Sequence, residues 1–254
     1  MMKQNNMRKS QTVMLSALGV MAFIVVMLVG VARVAVSSMD TGSEQHASRK
    51  DYSVSSGKNL DIRDFDSIRL VGSWKVKLIQ GDDWHVELNY PDGRKQDLKA
   101  TVEDGRLTLD PGDYNSTWDW NWWKGWNNKE VYSARIVLPK LKSLEIAGAS
   151  NLNFDGFSGG DLRIIISGAG NLEGEQGHYD NLSLIMSGAG NVDMRDMKFT
   201  DALVNLSGAG NVRLGMDGGV LSGNLSGFGN IEYYGPVKDE RVNVSGFGKV
   251  HPSR

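Results

Sequence analysis

Apolar and polar residues alternate in short runs through the C-terminal half of the chain, and each run leads into a glycine-rich turn. Before the turns the apolar positions are Leu144 and Ile146, Ile164 and Ile166, Leu184 and Met186, Val204 and Leu206, and Val242 and Val244. After the turns the apolar positions are Leu152 and Phe154, Val192 and Met194, Val212 and Leu214, and Ile231 and Tyr233. A period of two is typical of β-strands. Each unit is therefore predicted to be a strand, a tight turn, a second strand and a variable polar connection, such as residues 173–181 or 195–201.

The turns recur at a nearly constant period. They read "IAGASN", "ISGAGN", "MSGAGN", "LSGAGN", "LSGFGN" and "VSGFGK", and their first glycines, from Gly148 to Gly246, are 20, 20, 20, 19 and 19 residues apart. One unit cannot bury its apolar face, whereas stacking at about 4.8 Å pairs each strand with its equivalent in the next unit. The period predicts an all-β fold, a parallel β-helix with one unit per coil. Residues 67–91 resemble a degenerate coil around Gly72, and further strands are predicted at residues 98–102, 105–110 and 132–139.

Glycine and asparagine at the turns have structural explanations. Glycine tolerates positive φ and the close approach of stacked backbones, and the asparagine amide can both donate and accept hydrogen bonds. We expect the asparagines to stack as a buried ladder bonded to neighbouring turn backbone. A strand rather than a helix follows each turn, which argues against a phosphate-binding loop. The predicted turn and ladder residues are Gly148, Asn151, Gly168, Gly170, Asn171, Gly188, Gly190, Asn191, Gly208, Gly210, Asn211, Gly227, Gly229, Asn230 and Gly246.

The last two turns depart from the others. Phe228 and Phe247 occupy the position that alanine holds in the earlier turns, and Lys249 replaces the ladder asparagine in the last one. We predict an aromatic stack near the C-terminal end and a terminal coil that does not continue the stacking.

A long apolar segment lies near the N-terminus. Residues 13–32 carry no charge, and as a helix they would span about 30 Å, the thickness of a bilayer core. We interpret them as an uncleaved transmembrane helix; the alternative is a signal peptide cleaved near Ala35, Val36 and Ser37. Lys3, Arg8 and Lys9 precede the helix, which favours a cytoplasmic N-terminus. The remainder of the chain would then lie outside the cytoplasm.

Composition and charge exclude several classes of function. The 28 basic and 30 acidic residues are interspersed, which argues against a nucleic-acid partner. The chain has no cysteine, so disulfides, thiolate metal sites and a cysteine nucleophile are excluded. The four histidines, His46, His85, His178 and His251, show no ligand spacing. We therefore assign no catalytic residue, no metal and no cofactor. Asp82 and Asp83 are the nearest candidates for a catalytic pair, but they resemble a hairpin turn.

A tryptophan-rich insertion is the one segment that a repeated scaffold does not explain. Residues 114–128 read "YNSTWDWNWWKGWNN". They are interpreted in three ways: as a cap that packs over the β-helix, as a platform for a glycan or a protein, or as a wedge at the membrane surface. The candidate binding residues are Trp118, Trp120, Trp122, Trp123 and Trp126.

The serial turns, together with "FDSIRLVGSWKVKLIQGDDWHVEL" from Phe65 and "ARIVLPKLKSLEIAGAS" from Ala134, resemble a bacterial family named "putative auto-transporter adhesin, head GIN domain". The resemblance covers about residues 60–250. It implies a single-stranded, right-handed parallel β-helix that is exported from the cytoplasm and acts in adhesion or at the cell envelope. It implies no catalytic residues. We divide the chain into a cytoplasmic N-terminus and transmembrane anchor (1–36), a linker (37–58) and a GIN-type β-helix domain (59–254) with the Trp-rich insertion at 113–130.

The sequence favours a non-enzymatic module in the bacterial cytoplasmic membrane, crossing it once, with its C-terminal domain in the periplasm or outside the cell. It would bind an envelope glycan or protein, or organise other proteins. The alternative is a carbohydrate-active β-helix enzyme that uses the Trp-rich loop to bind a polysaccharide. The ligand and the oligomeric state are left open.

Overall fold

The computed structural model describes residues 58–60, 62–90, 98–112 and 132–253. Every helix or strand within these ranges is a β-strand, so the described part of the chain is all-β. The predicted transmembrane helix, residues 13–32, lies outside them, and within them no helix is long and apolar enough to span a membrane. The strands are β1 (Lys58–Leu60), β2 (Ser67–Gln80), β3 (His85–Asn89), β4 (Lys99–Glu103), β5 (Arg106–Asp110), β6 (Tyr132–Leu138), β7 (Ser143–Asp155), β8 (Ser158–Ile166), β9 (Ala169–Met186), β10 (Ala189–Leu206), β11 (Ala209–Met216), β12 (Val220–Leu225), β13 (Phe228–Tyr234), β14 (Asp239–Val244) and β15 (Phe247–Ser253).

The strands stack in parallel as a β-helix of about six turns. After each turn, β7, β9, β10, β11, β13 and β15 follow one another in register, and before each turn the order is β7, β8, β9, β10, β12 and β14. The degenerate coil is also confirmed, because β2 pairs with β7 along its length and places Gly72 opposite Gly148. One sequence repeat is therefore one coil.

Each coil has a third side that the sequence analysis missed. The connections predicted to be polar continue the strands: β9 and β10 bend and run on from the turn of one coil to the turn of the next. Tyr179, Met197 and Phe199 lie on this third side and are buried. The buried positions were not predicted because polar residues at the bend, including Gln176 at φ 49°, separate their short alternation from the strand before it. Three sides enclose the core.

The N-terminal end has a different topology. β5 pairs with the first half of β2 and β6 with its second half, and both pairings are parallel. β3 then adds antiparallel to β6, β1 antiparallel to β3, and β4 antiparallel to β5. Asp82 and Asp83 were predicted to form a hairpin turn. Their turn joins β2 to β3, but these two strands do not pair because β6 lies between them, so the hairpin prediction is wrong.

The C-terminal coil carries features that stop further stacking. Glu240 in β14 aligns with the buried Leu221, so a carboxylate stands at a core-facing position, where it accepts a hydrogen bond from the Tyr233 hydroxyl (2.9 Å). Pro252 and Lys249 lie on β15. Inward charges, lysine and proline all disfavour the addition of another strand. The predicted aromatic stack is confirmed, with the Phe228 and Phe247 rings 5.1 Å apart and 9° from parallel.

Candidate functional site

The first glycine of each turn lies where neighbouring coils come closest. A Cβ atom at Gly188 would overlap the carbonyl oxygen of Gly168, and one at Gly208 would overlap that of Gly188. The second glycine has the same restriction and also a positive φ, for example 148° at Gly190. These corners are therefore filled by stacked backbone, and they leave no cradle for a bound phosphate.

The turn asparagines form a chain of hydrogen bonds along the β-helix. In each step the Nδ2 of one asparagine donates to the Oδ1 of the asparagine in the preceding coil, and from Asn191 onward the backbone N donates to the same oxygen, as from Asn211 to Asn191 (both 3.2 Å). Asn171 and Asn191 are half-buried, whereas Asn151, Asn211 and Asn230 are exposed. The expectation of a buried ladder was wrong, because these side chains point outward from the strand that follows the turn. The chain ends where Lys249 N donates to Asn230 Oδ1 (3.2 Å).

A second asparagine column lies just before the turns. Asn205, Asn224 and Asn243 are in register, and Asn224 Nδ2 donates to Asn205 Oδ1 (3.0 Å). The sequence analysis missed this column, although "VNLSG", "GNLSG" and "VNVSG" carry its signal.

The tryptophan-rich insertion begins at a corner of the β-helix. Leu109 pairs with Leu70, and Tyr132 pairs with Trp74, so the described strands on either side of the insertion, β5 and β6, pair with β2 before and after Gly72. Trp118, Trp120, Trp122, Trp123 and Trp126 lie outside the described residues. The two strands that flank the insertion therefore lie beside β2, at the N-terminal end of the row of glycine turns.

The side after the turns is covered by paired charges. Arg213 lies between Asp193 and Glu232, with Nη1 3.3 Å from Asp193 Oδ2 and Nε 3.2 Å from Glu232 Oε2. Arg195 also pairs with Asp193. Burial raises the pKa of Asp193, but the hydrogen bond from Arg195 and the charge of this guanidinium outweigh burial and lower that pKa below its usual range. These charged side chains are therefore paired with one another on this side of the coil.

The side before the turns carries an open groove. Its volume is about 440 Å³, and it is broadly open to solvent rather than enclosed. It spans the coils contributed by β8, β9, β10 and β12, and its lining combines two carboxylates, a guanidinium, amide and hydroxyl groups, and aliphatic side chains. The lining residues are Asp161, Leu162, Arg163, Asn181, Leu182, Ser183, Asp201, Ala202, Leu203, Val220 and Ser222.

Hydrogen bonds within the sheet hold the carboxylates of the groove. Asn181 Nδ2 donates to Asp161 Oδ1 (2.9 Å), and Val220 N donates to Asp201 Oδ1 (2.7 Å). Arg163 is exposed. We therefore regard this groove as the candidate functional site. The sequence analysis did not find it.

The other candidates for chemistry lie apart from the groove. Asp83 pairs with Arg63 (3.6 Å) and accepts a hydrogen bond from Trp84 N (2.8 Å), as expected of a turn residue. His178 Nε2 lies 3.6 Å from Asp180 Oδ1. In the part of the chain that the structure describes, no three histidine or acidic side chains are grouped so as to hold a metal ion.

The stacked coils and glycine corners define a β-helix repeat protein. The chain belongs to the family "Putative auto-transporter adhesin, head GIN domain", whose sequence profile matches residues 64–236. The resemblance stated from the turns is therefore confirmed.

Solved structures of low sequence identity match this chain. A putative adhesin from Bacteroides fragilis NCTC 9343 is 16% identical, with a TM-score of 0.59 over 78% of this chain and 96% of that chain. A putative lipid binding protein from Parabacteroides distasonis ATCC 8503 is 19% identical, with a TM-score of 0.38 over 77% of this chain and 96% of that chain. A search of curated proteins found no match.

Proposed function

We propose that this protein is a non-enzymatic, membrane-anchored binding module of the adhesin type, displayed outside the cytoplasmic membrane. The groove is the observation on which this proposal rests, because it is a binding-sized concavity whose carboxylates are already held by the sheet. A preorganised surface loses little conformational entropy when a partner binds. Membership of an adhesin family and the shared fold of the Bacteroides fragilis protein support the same role.

In this proposal, residues 13–32 form a single membrane-spanning helix, and residues 37–58 tether a right-handed β-helix to it. The tryptophans of the insertion offer a further contact for an envelope glycan or protein. The partner is then a component of the cell envelope outside the membrane.

Co-sedimentation of the full-length protein in detergent with insoluble cell-wall polysaccharide tests this proposal. We expect the protein to sediment with the polymer and to release no soluble sugar fragments into the supernatant. A parallel sample with Trp120, Trp122 and Trp123 changed to alanine measures the contribution of the insertion. A protein that stays in the supernatant would contradict envelope binding.

The alternative is a carbohydrate-active enzyme, and one observation favours it. Asp161 and Asp201 align two coil steps apart, about 9.6 Å, near the upper end of the carboxyl separation in inverting glycosidases. In that column, however, Asn181 lies between them and donates to Asp161 Oδ1 (2.9 Å), where the inverting mechanism needs room for a water molecule and the sugar. Shortening of the polymer by the wild type but not by Asp161→Asn would support the enzyme. The same comparison with Asp82→Asn and Asp83→Asn tests the pair considered from the sequence.

A further inference from the structure

We propose that the groove binds a neutral glycan, with the sugar chain lying across the coils contributed by β8, β9, β10 and β12. This inference rests on the proposed function and names the ligand class and the site. The sequence analysis placed glycan binding on the tryptophan-rich insertion, whereas this site lies on the side of the coil before the turns.

The polar lining of the groove matches a ligand rich in hydroxyl groups. In one column, Asp161, Asn181 and Asp201 are in register, so two pure acceptors flank an amide that both donates and accepts. The column beside it runs from Arg163, a pure donor, through Ser183 to Leu203 and Ser222. A sugar hydroxyl donates and accepts at once, so interleaved donors and acceptors can satisfy it on both counts.

The apolar part of the groove matches the CH face of a sugar ring. Leu203 is 43% exposed and is one of the few large apolar side chains that the described residues present to solvent. Val220 also lines the groove and is half-buried. Polar groups that fix orientation beside an apolar surface are the usual arrangement of a small-ligand site.

The charge of the groove distinguishes a neutral glycan from other ligands. Asp161 and Asp201 oppose a phosphate or a sulfated polymer, while Arg163 opposes a polycation. The groove has one arginine beside two aspartates, whereas anionic lipid headgroups are recognised by clusters of basic residues. A neutral chain with many hydroxyl groups meets neither repulsion.

The test uses the full-length protein in detergent and isothermal titration with neutral hexasaccharides of glucose, galactose, mannose and N-acetylglucosamine. We expect saturable binding of at least one of them. Ser183→Trp fills the groove from a half-buried position and should weaken this binding at least tenfold, and Leu203→Ala should weaken it several-fold. Glu175→Trp places the same indole on an exposed position of another side and should leave the affinity unchanged. Circular dichroism of each variant establishes that the coil is intact.

Two results would overturn the inference: the wild type binds none of the four hexasaccharides, or Ser183→Trp binds as tightly as the wild type. If Ser183→Trp still sediments with cell-wall polysaccharide as the wild type does, envelope binding stands and the groove is not its site. A wild type that does not sediment contradicts the proposed function itself.

Discussion

Replacing Phe199 by alanine is expected to lower the free energy of unfolding by about 3 to 5 kcal/mol, the usual loss when a buried aromatic ring is removed from a core. Phe199 is fully buried on the third side of its coil, and its ring stacks on Tyr179 with centroids 6.4 Å apart. The surrounding coils are held by their own strand pairing, so the cavity can close only in part. Urea unfolding followed by circular dichroism measures the loss.

The matched control for this change is Phe247→Ala. The Phe247 ring is 76% exposed, so its removal opens no cavity and should change the free energy of unfolding by less than about 1 kcal/mol. Equal losses for the two variants would mean that residues 195–201 form only the polar connection predicted from the sequence and not a packed side of the coil.

Replacing Gly208 by alanine should destabilise the protein by roughly 3 kcal/mol, at the upper end of the range for overpacking. The added methyl group would overlap the backbone of Gly188, which cannot move away as a side chain could. Gly208 has no positive φ, so the effect is one of close approach alone. A fall in Tm of about 6 to 12 °C is the corresponding thermal shift for a domain of this size.

Gly160→Ala is the control for Gly208→Ala. A Cβ atom at Gly160 would lie 3.8 Å from Asp180 Oδ2, an ordinary contact, and the position is exposed. We expect its Tm to stay within a few degrees of the wild type. If Gly208→Ala and Gly160→Ala have the same Tm, neighbouring coils are not in contact at the glycine corner.

The architecture was predictable because its causes are local and repeated. The alternation of Leu184 and Met186 before a turn and of Val192 and Met194 after the same turn predicts which side chains face the core. The constant spacing of the glycine turns then predicts which segments stack as neighbouring coils. The third side was missed because Tyr179 and Phe199 stand among polar residues, so its alternation is too short to be read in one coil.

The N-terminal end and the groove were not predictable in the same way. β6 inserts between β2 and β3, and this pairing joins segments that are distant in sequence and carries no periodic signal. The groove depends on residues about 20 positions apart, such as Asp161 and Asn181, whose side chains face solvent. Outward positions are not restricted by the core, so only the register shows that these groups lie together.

The stacking of one repeat per coil is most directly tested by a spin-label distance. The chain has no cysteine, so Lys75→Cys and Lys249→Cys in the full-length protein provide the only two labelling sites. Both lysines are exposed in the same column, which runs from Lys75 through Asn151, Asn171, Asn191, Asn211 and Asn230 to Lys249. Six coil steps of this column predict a narrow distribution centred near about 29 Å in pulsed double electron–electron resonance. A broad distribution, or a centre below about 20 Å or above about 40 Å, would contradict the stacked β-helix.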